Sequence, residues 1–279
     1  MTQVSKSKVF PMTWEESVQW LREQPDQHDL VRACYFDDPL LEAAERYYHD
    51  SEWQAIRNMM PAIVGYALDV GAGRGIASYA LAKDGWQVTA LEPNTSQLVG
   101  AGAIRALATE SGLPINVVEE WGEKLPFADN SFDFIHARQV LHHARDLPAF
   151  CRELYRVLRP RGILIATREH VIDRPEDLPV FLQNHPLHCL YGGENAFTLI
   201  QYTDSLVTAG FNLHQIFSPF ETPINYFPAT KSEVRTMVGR RLFGPLWFEW
   251  IPIPQFFIVF LSRRMTNPGR LYTFVAGKR

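Results

Sequence analysis

Hydrophobic positions change their period along the chain. Over the first sixty residues, apolar side chains recur at helical spacing. Val18, Trp20 and Leu21 follow Thr13 and Glu16, a pair spaced as a capping box. Asp38-Pro39 reads as an N-cap and first-turn pair for a helix over Leu40–Tyr48. Ser51 with Gln54 opens another helix, which stops before Pro61.

From Tyr66 the pattern turns to short apolar runs separated by helical stretches. Strands are expected at Ala67–Val70, Gln87–Leu91, Ile115–Val118, Phe132–Ala137 and Ile163–Thr167. Helices are expected at Ile76–Lys83, Ser96–Glu110, near His142 and at Pro148–Leu158, with Gly85 and Gly112 where helix ends favour a left-handed residue. Such alternation predicts an α/β fold, a parallel sheet with helices on both faces. Beyond Thr167 the regularity weakens, and Arg168–Gly193, rich in His and Pro, is expected to be irregular. A helix over Ala196–Ala209 closed by Gly210 follows, then strands at Phe211–Phe217 and Leu271–Ala276.

Composition narrows the function class. With 279 residues, 46% of them hydrophobic, the chain can bury a sizeable core. A net charge of -4 and no basic run argue against a nucleic-acid partner. Three irregularly spaced cysteines, Cys34, Cys151 and Cys189, do not form a disulfide framework, and Met1–Val9 lacks an apolar core, so a cytoplasmic location is expected. Leu242–Leu261 is strongly apolar but holds Glu249, Pro245, Pro252 and Pro254. The prolines argue against a spanning helix and leave a buried cap or a peripheral membrane contact.

The sharpest motif is Leu68-Asp69-Val70-Gly71-Ala72-Gly73-Arg74-Gly75. An apolar strand enters a glycine turn that opens a helix, where free N–H groups favour a carboxylate or phosphate. Glu92 ends the next strand, placed to accept hydrogen bonds from ribose hydroxyls. Dinucleotide dehydrogenases share both features. Asp69 discriminates, because a negative charge there repels a pyrophosphate but serves an ammonium group or orients the loop. It favours S-adenosylmethionine over NAD.

Leu125-Pro126-Phe127, Phe132-Asp133, Leu141-His142-His143 and Arg156-Val157-Leu158-Arg159-Pro160 follow in order before Gly162. With the glycine loop, they make the segment resemble the class I S-adenosylmethionine-dependent methyltransferases, near the methyltransferase type 11 or ubiquinone-biosynthesis-like branch. The resemblance implies a Rossmann-like seven-stranded sheet whose last strand is antiparallel. It further implies that Gly71, Ala72 and Gly73 hold the methionine part and that Glu92, with Pro93 beside it, meets the ribose. By the same likeness Glu120, Trp121 and Gly122 border the adenine, and Ala137 lies beside the methionine end. Trp121 stands where the family often has an acidic residue, so either Glu120 or Trp121 meets the adenine.

The expected division is a helical lid over 1–61, a cofactor-binding core over 62–217 and 271–279, and an aromatic-rich cap over 218–270. The cap carries Tyr226, Phe227, Trp247, Phe248 and Trp250. It can enclose an apolar or lipid-linked acceptor, form a dimer or touch membrane.

Methyl transfer needs an acceptor held in line and sometimes a base. His142 and His143, after the fourth strand, are the candidate bases, a neutral imidazole suiting that task at pH 7. Glu169 is the candidate to orient or assist them. Tyr35, Arg138, Arg168, His188 and Tyr191 are candidate substrate contacts, Arg138 for an anionic group. No metal is expected, because the His185–His188 spacing has no second ligand motif to support it. The leading expectation is methyl transfer to a small-molecule acceptor, on oxygen. An NAD-dependent oxidoreductase and a non-catalytic S-adenosylmethionine-binding protein stand as alternatives.

Overall fold

The computed structural model describes residues 12–244 and 253–279. The expectations placed on Met1–Val9, Pro245, Trp247, Phe248, Glu249, Trp250 and Pro252 lie outside them.

Four helices precede the sheet: α1 (Trp14–Glu23), α2 (His28–Ala33), α3 (Leu40–His49) and α4 (Ser51–Arg57). The Thr13–Glu16 capping box forms as expected. Asp38 does not cap α3, since Pro39 holds the N-cap position with no side-chain bond. The Asp38 carboxylate is taken instead by Arg22 and Arg74. Nor does a side chain cap α4, because Asp50 accepts the Tyr35 hydroxyl (2.6 Å).

Then come β1 (Tyr66–Val70), α5 (Ile76–Lys83), β2 (Gln87–Leu91), α6 (Ala101–Ser111), β3 (Ile115–Val118), β4 (Phe132–Arg138), α7 (Leu147–Val157) and β5 (Leu158–Ile172). α6 starts later than the apolar spacing suggests. Asn94 and Ser96 turn their side chains onto nearby backbone N–H groups and hold 94–99 out of the helix. The segment expected to be irregular is ordered: β5 runs to Ile172, then α8 (Leu178–Asn184) and α9 (Pro186–Tyr191) follow. β5 continues past the polar run Arg168-Glu169-His170 because β8 pairs with Glu169, His170 and Val171 and β6 with Val171 and Ile172.

The chain ends with β6 (Phe197–Thr198), α10 (Leu199–Ala209), β7 (Asn212–Phe217), α11 (Pro223–Tyr226), α12 (Lys231–Phe243), α13 (Gln255–Arg263) and β8 (Arg270–Gly277). The strand order is β3-β2-β1-β4-β5-β8-β7, parallel except for β8, with the two-residue β6 added beside β5. This is the expected Rossmann-like sheet with one short extra strand.

Alternation along the strands divides the core between the two faces. Leu68, Ile135 and Leu164 meet α7 and α10 through Phe150, Leu154 and Tyr202. Ala67, Phe134 and Ile165 meet α3, α4 and α5 through Tyr47, Trp53 and Leu81. The insertion forms a small cluster of its own around Val234, Val238, Ile253 and Ile258. Among the described residues, no helix is long and apolar enough to cross a membrane.

One buried charge cluster pins α4 to the sheet. Glu52, fully buried, receives Nε and an Nη of Arg138 (2.6 and 3.1 Å), while Arg168 lies 3.9 Å away. Burial penalises the Glu52 carboxylate, yet the two arginines outweigh that and hold its pKa below the usual range. Removing one member of such a cluster leaves buried charge without compensation, at a cost of about 3–5 kcal/mol. Glu52→Gln is therefore expected to lower the unfolding temperature by roughly 5–15 °C, measured by thermal denaturation. An unchanged midpoint would mean that the cluster contributes no net stability.

Candidate functional site

The carboxyl ends of β1, β2, β4 and β5 open into one cavity of about 770 Å³. The glycine turn forms its floor. Gly71 has φ +60 because the chain must turn beneath Val140, whose Cγ2 would lie 2.6 Å from any added Cβ. Gly73, at φ +54, has open space where a Cβ would stand. Ligand and backbone can therefore approach closely there. Glu92 accepts the N–H groups of Gly73 (2.7 Å) and Asn94 (2.9 Å). Burial dominates those bonds and raises its pKa to about 7.

Asp69 lines the same cavity. Its carboxylate accepts the Ser78 hydroxyl (2.6 Å) and meets His136 Nδ1 (3.1 Å), so it ties β1 to α5 and β4. Ala72, Pro93, Glu120, Trp121 and Gly122 also line the cavity, with Glu120 and Trp121 exposed and Arg145 over the Trp121 ring. Ala137 does not line it. It is fully buried between Val70 and Ala166, and Arg138 takes the place on the wall.

Three non-glycine residues on the cavity wall adopt positive φ: Tyr35 (58°), Gln139 (56°) and Arg168 (59°). Such strain persists only where surrounding contacts enforce it, and it concentrates at functional sites. At Arg168 it accompanies a register shift between β5 and β8, a bulge that re-aims Arg168 and Glu169.

Glu169 organises the turn after β4. One of its oxygens accepts the N–H groups of Val140 and Leu141, and the other accepts the N–H of His142, all at 3.0 Å. The second oxygen also takes His142 Nδ1 at 2.8 Å. Glu169 thus stands behind the cavity wall rather than on it. His142 Nε2 points to Glu194 (3.5 Å), whose other oxygen accepts the Tyr191 hydroxyl (2.6 Å). Burial disfavours a charged His142, but the two carboxylates outweigh it and push its pKa up to about 9. The neutral imidazole expected at His142 is therefore a cation at pH 7.

His143 differs. Its Nδ1 donates to the Gly193 carbonyl (3.1 Å), which leaves the Nε2 lone pair free. Desolvation and the His142 cation both push its pKa down, to about 4. The ring is exposed at the cavity, so the neighbouring cation is the firmer cause.

Of the expected substrate contacts, Tyr35, Arg138, Arg168 and Tyr191 line the cavity, whereas His188 does not. The Tyr35 hydroxyl is held by Asp50, and Arg138 is engaged by Glu52 rather than free for an anion. His185 finds neighbours of ligand type in His170 and Glu194, not in His188. His142, His143 and Glu194 form a second such trio, with ligand atoms within 4.8 Å in each.

Sequence reasoning assigned no role to Glu52, Arg74, Gln139, His170 or Glu194. Arg74 carried a signal, as a charged residue inside the glycine loop. It donates to the carbonyls of Tyr35 (2.9 Å) and Asp37 (2.8 Å) and to the Asp38 carboxylate.

The His142 pKa has a consequence for stability. Raised from 6.5 to about 9 on folding, it contributes stability that is fully present below pH 6.5 and is lost as pH rises through 9. The loss is of the order of 3 kcal/mol. Denaturant unfolding of the wild type is expected to show this slope between those limits, and His142→Gln to lack it. A slope retained in the variant would assign the titration elsewhere.

A family model described as a methyltransferase domain matches residues 68–166. The ubiquinone biosynthesis O-methyltransferase of Methylobacterium nodulans is 27% identical over 183 residues, 60% of this chain and 72% of that protein. Among solved structures, a putative sarcosine dimethylglycine methyltransferase from Galdieria sulphuraria is similar with a TM-score of 0.56 at 20% identity, over 86% of both chains. Phosphoethanolamine N-methyltransferase 2 of Haemonchus contortus, solved with S-adenosyl-L-methionine, has a TM-score of 0.57 at 17% identity, covering 90% of this chain and 59% of that one. At these identities the structures speak for the fold alone. The family match and the curated relative set the dehydrogenase alternative aside, and the chain is a class I S-adenosylmethionine-dependent methyltransferase.

Proposed function

We propose that the protein methylates an oxygen of a small-molecule acceptor bound in the cavity between the glycine turn and the β4–β5 wall. The observation that carries this reading is His143, an imidazole on the cavity wall whose Nδ1 is engaged by the Gly193 carbonyl, which leaves Nε2 without a hydrogen-bond partner among the described residues. A hydroxyl acceptor must lose a proton as it takes the methyl group, and His143 Nε2 can receive it. When bound, S-adenosylmethionine supplies a methyl group already activated by its sulfonium.

The open space at Gly73 and the Glu92 carboxylate above it suit the methionine and ribose parts of that cofactor. His142 and Glu169 act as positioning residues: they fix the turn that carries His143. Helices α1 and α2 with the chain to Phe36, and the segment around α9, act as the lid. Trp14 packs on Tyr191 (ring centroids 4.8 Å) and Met12 N–H donates to Leu190, which closes the cavity from above. The relative that is an O-methyltransferase by name supports oxygen as the acceptor atom. No described residue of 218–270 lines the cavity, though the Ile224 and Phe227 carbonyls hold Arg168 on its wall.

His143→Ala is expected to lower turnover by roughly a hundredfold or more while leaving the affinity for S-adenosylhomocysteine within twofold. A labelled-methyl assay over a panel of phenols and alcohols, with calorimetry for the cofactor product, reads both. Full turnover in the variant would remove the base role. Gly71→Val places a branched side chain at positive φ against Val140. It is expected to weaken S-adenosylhomocysteine binding by more than about tenfold. Unchanged affinity would displace the cofactor from the glycine turn.

A further inference from the structure

Arg168 is the buried cation on the cavity wall whose charge is least answered. Glu52 is the carboxylate paired with both Arg138 and Arg168, but both of its oxygens are engaged by Arg138 at hydrogen-bond distance. Arg168 stands 3.9 Å from Glu52, too far for a hydrogen bond. One Nη of Arg168 donates to the carbonyls of Ile224 (2.8 Å) and Phe227 (2.9 Å), neutral acceptors from the insertion. Its Nε is buried and has no partner among the described residues. The residue is 9% exposed overall, and what remains open faces the cavity. Two cations thus share one carboxylate in a desolvated place, a costly arrangement unless a further negative group joins it.

The backbone gives independent support. Arg168 sits at φ 59 in a bulge of an otherwise regular central strand. A bulge in that register serves to aim a side chain, and its strain must be offset by the surrounding contacts. The groups facing the guanidinium are Cys34, Tyr35, Arg138 and Glu52, from α4, β4 and the chain before α3. Glu169, its neighbour in sequence, is held on the far side by the turn after β4. A planar guanidinium with free donors matches the geometry of a compact oxyanion.

We infer that the methyl acceptor carries a compact oxyanion, a carboxylate or phosphate, which seats on Arg168. The inference rests on the proposed acceptor cavity. It moves the anion contact from Arg138, which the sequence favours, to Arg168. The hydroxyl to be methylated then lies toward His143, at the other end of the same wall.

The test is calorimetry with the full chain saturated with S-adenosylhomocysteine. The probes are benzoate and phenyl phosphate, each paired with a neutral counterpart, benzamide and phenol. Charge-assisted hydrogen bonds predict at least about tenfold tighter binding of one anion than of its neutral counterpart. Benzoate alone showing the preference names a carboxylate, and phenyl phosphate alone names a phosphate. Equal affinities within both pairs, or no binding of either anion, overturn the inference. Arg168→Met is expected to abolish the preference while S-adenosylhomocysteine still binds within about twofold. A preference retained in that variant also overturns it. If the variant does not fold, Arg168→Lys replaces it and is expected to retain part of the preference, and none in a folded Arg168→Lys counts against the inference. Loss of S-adenosylhomocysteine binding in the wild type would instead indict the cofactor reading itself.

Discussion

Glu169 accepts the N–H groups of three successive residues, Val140, Leu141 and His142, and the His142 imidazole as well. Those groups sit where β4 gives way to a turn, and no strand partner would otherwise satisfy them. A buried N–H without a partner is costly, so the turn holds its shape only because β5 delivers a carboxylate to it. Much else hangs on that turn. Val140 packs over Gly71 and fixes the cofactor loop, His143 takes its position beside Gly193, and His142 reaches on to Glu194. A single side chain thus joins the glycine-turn end of the cavity to the His143 end.

Two charge clusters at the cavity are unequal in opposite senses. Around His142, two carboxylates hold one imidazolium. Around Glu52, two arginines share one carboxylate. Each cluster is unbalanced by itself, and the imbalances have opposite sign. An acceptor lying between them meets a negative pole near Glu194 and a positive pole near Arg168. In a low-dielectric site such poles orient a ligand more strongly than apolar contact does. The apolar walls, with Trp14, Phe36 and Tyr191, then exclude water and set the shape.

The covering of the cavity comes from segments far apart in the chain. Arg74, inside the glycine loop, draws the chain around Tyr35 and Asp37 onto the cofactor site. Arg22 reaches the same stretch from α1 through Asp38. On the opposite side, α9 meets α1 through the Trp14–Tyr191 contact. Glycine turn, N-terminal helices and the segment after β5 are therefore joined by direct contacts.

The sequence by itself determined the α/β class, most of the strands, the glycine turn between strand and helix and the place of Glu92. These follow from local signals: periodicity of apolar residues, glycines at a strand-to-helix turn and a carboxylate at a strand end. It also brought His142, His143, Glu169 and Arg168 into view as polar residues at strand ends. Their states were decided only by the tertiary structure. His142 reads as a neutral base until Glu169 and Glu194, 27 and 52 residues away in sequence, enclose it and keep it charged. Arg138 reads as free until Glu52 arrives from a helix 86 residues earlier. Asp69 reads as serving an ammonium group or orienting the loop, and Ser78 and His136 show it holding the loop's strand in place. Which residues ionise, and which remain free to meet a ligand, depends on desolvation and on partners brought together by the fold. Neither is encoded at short range.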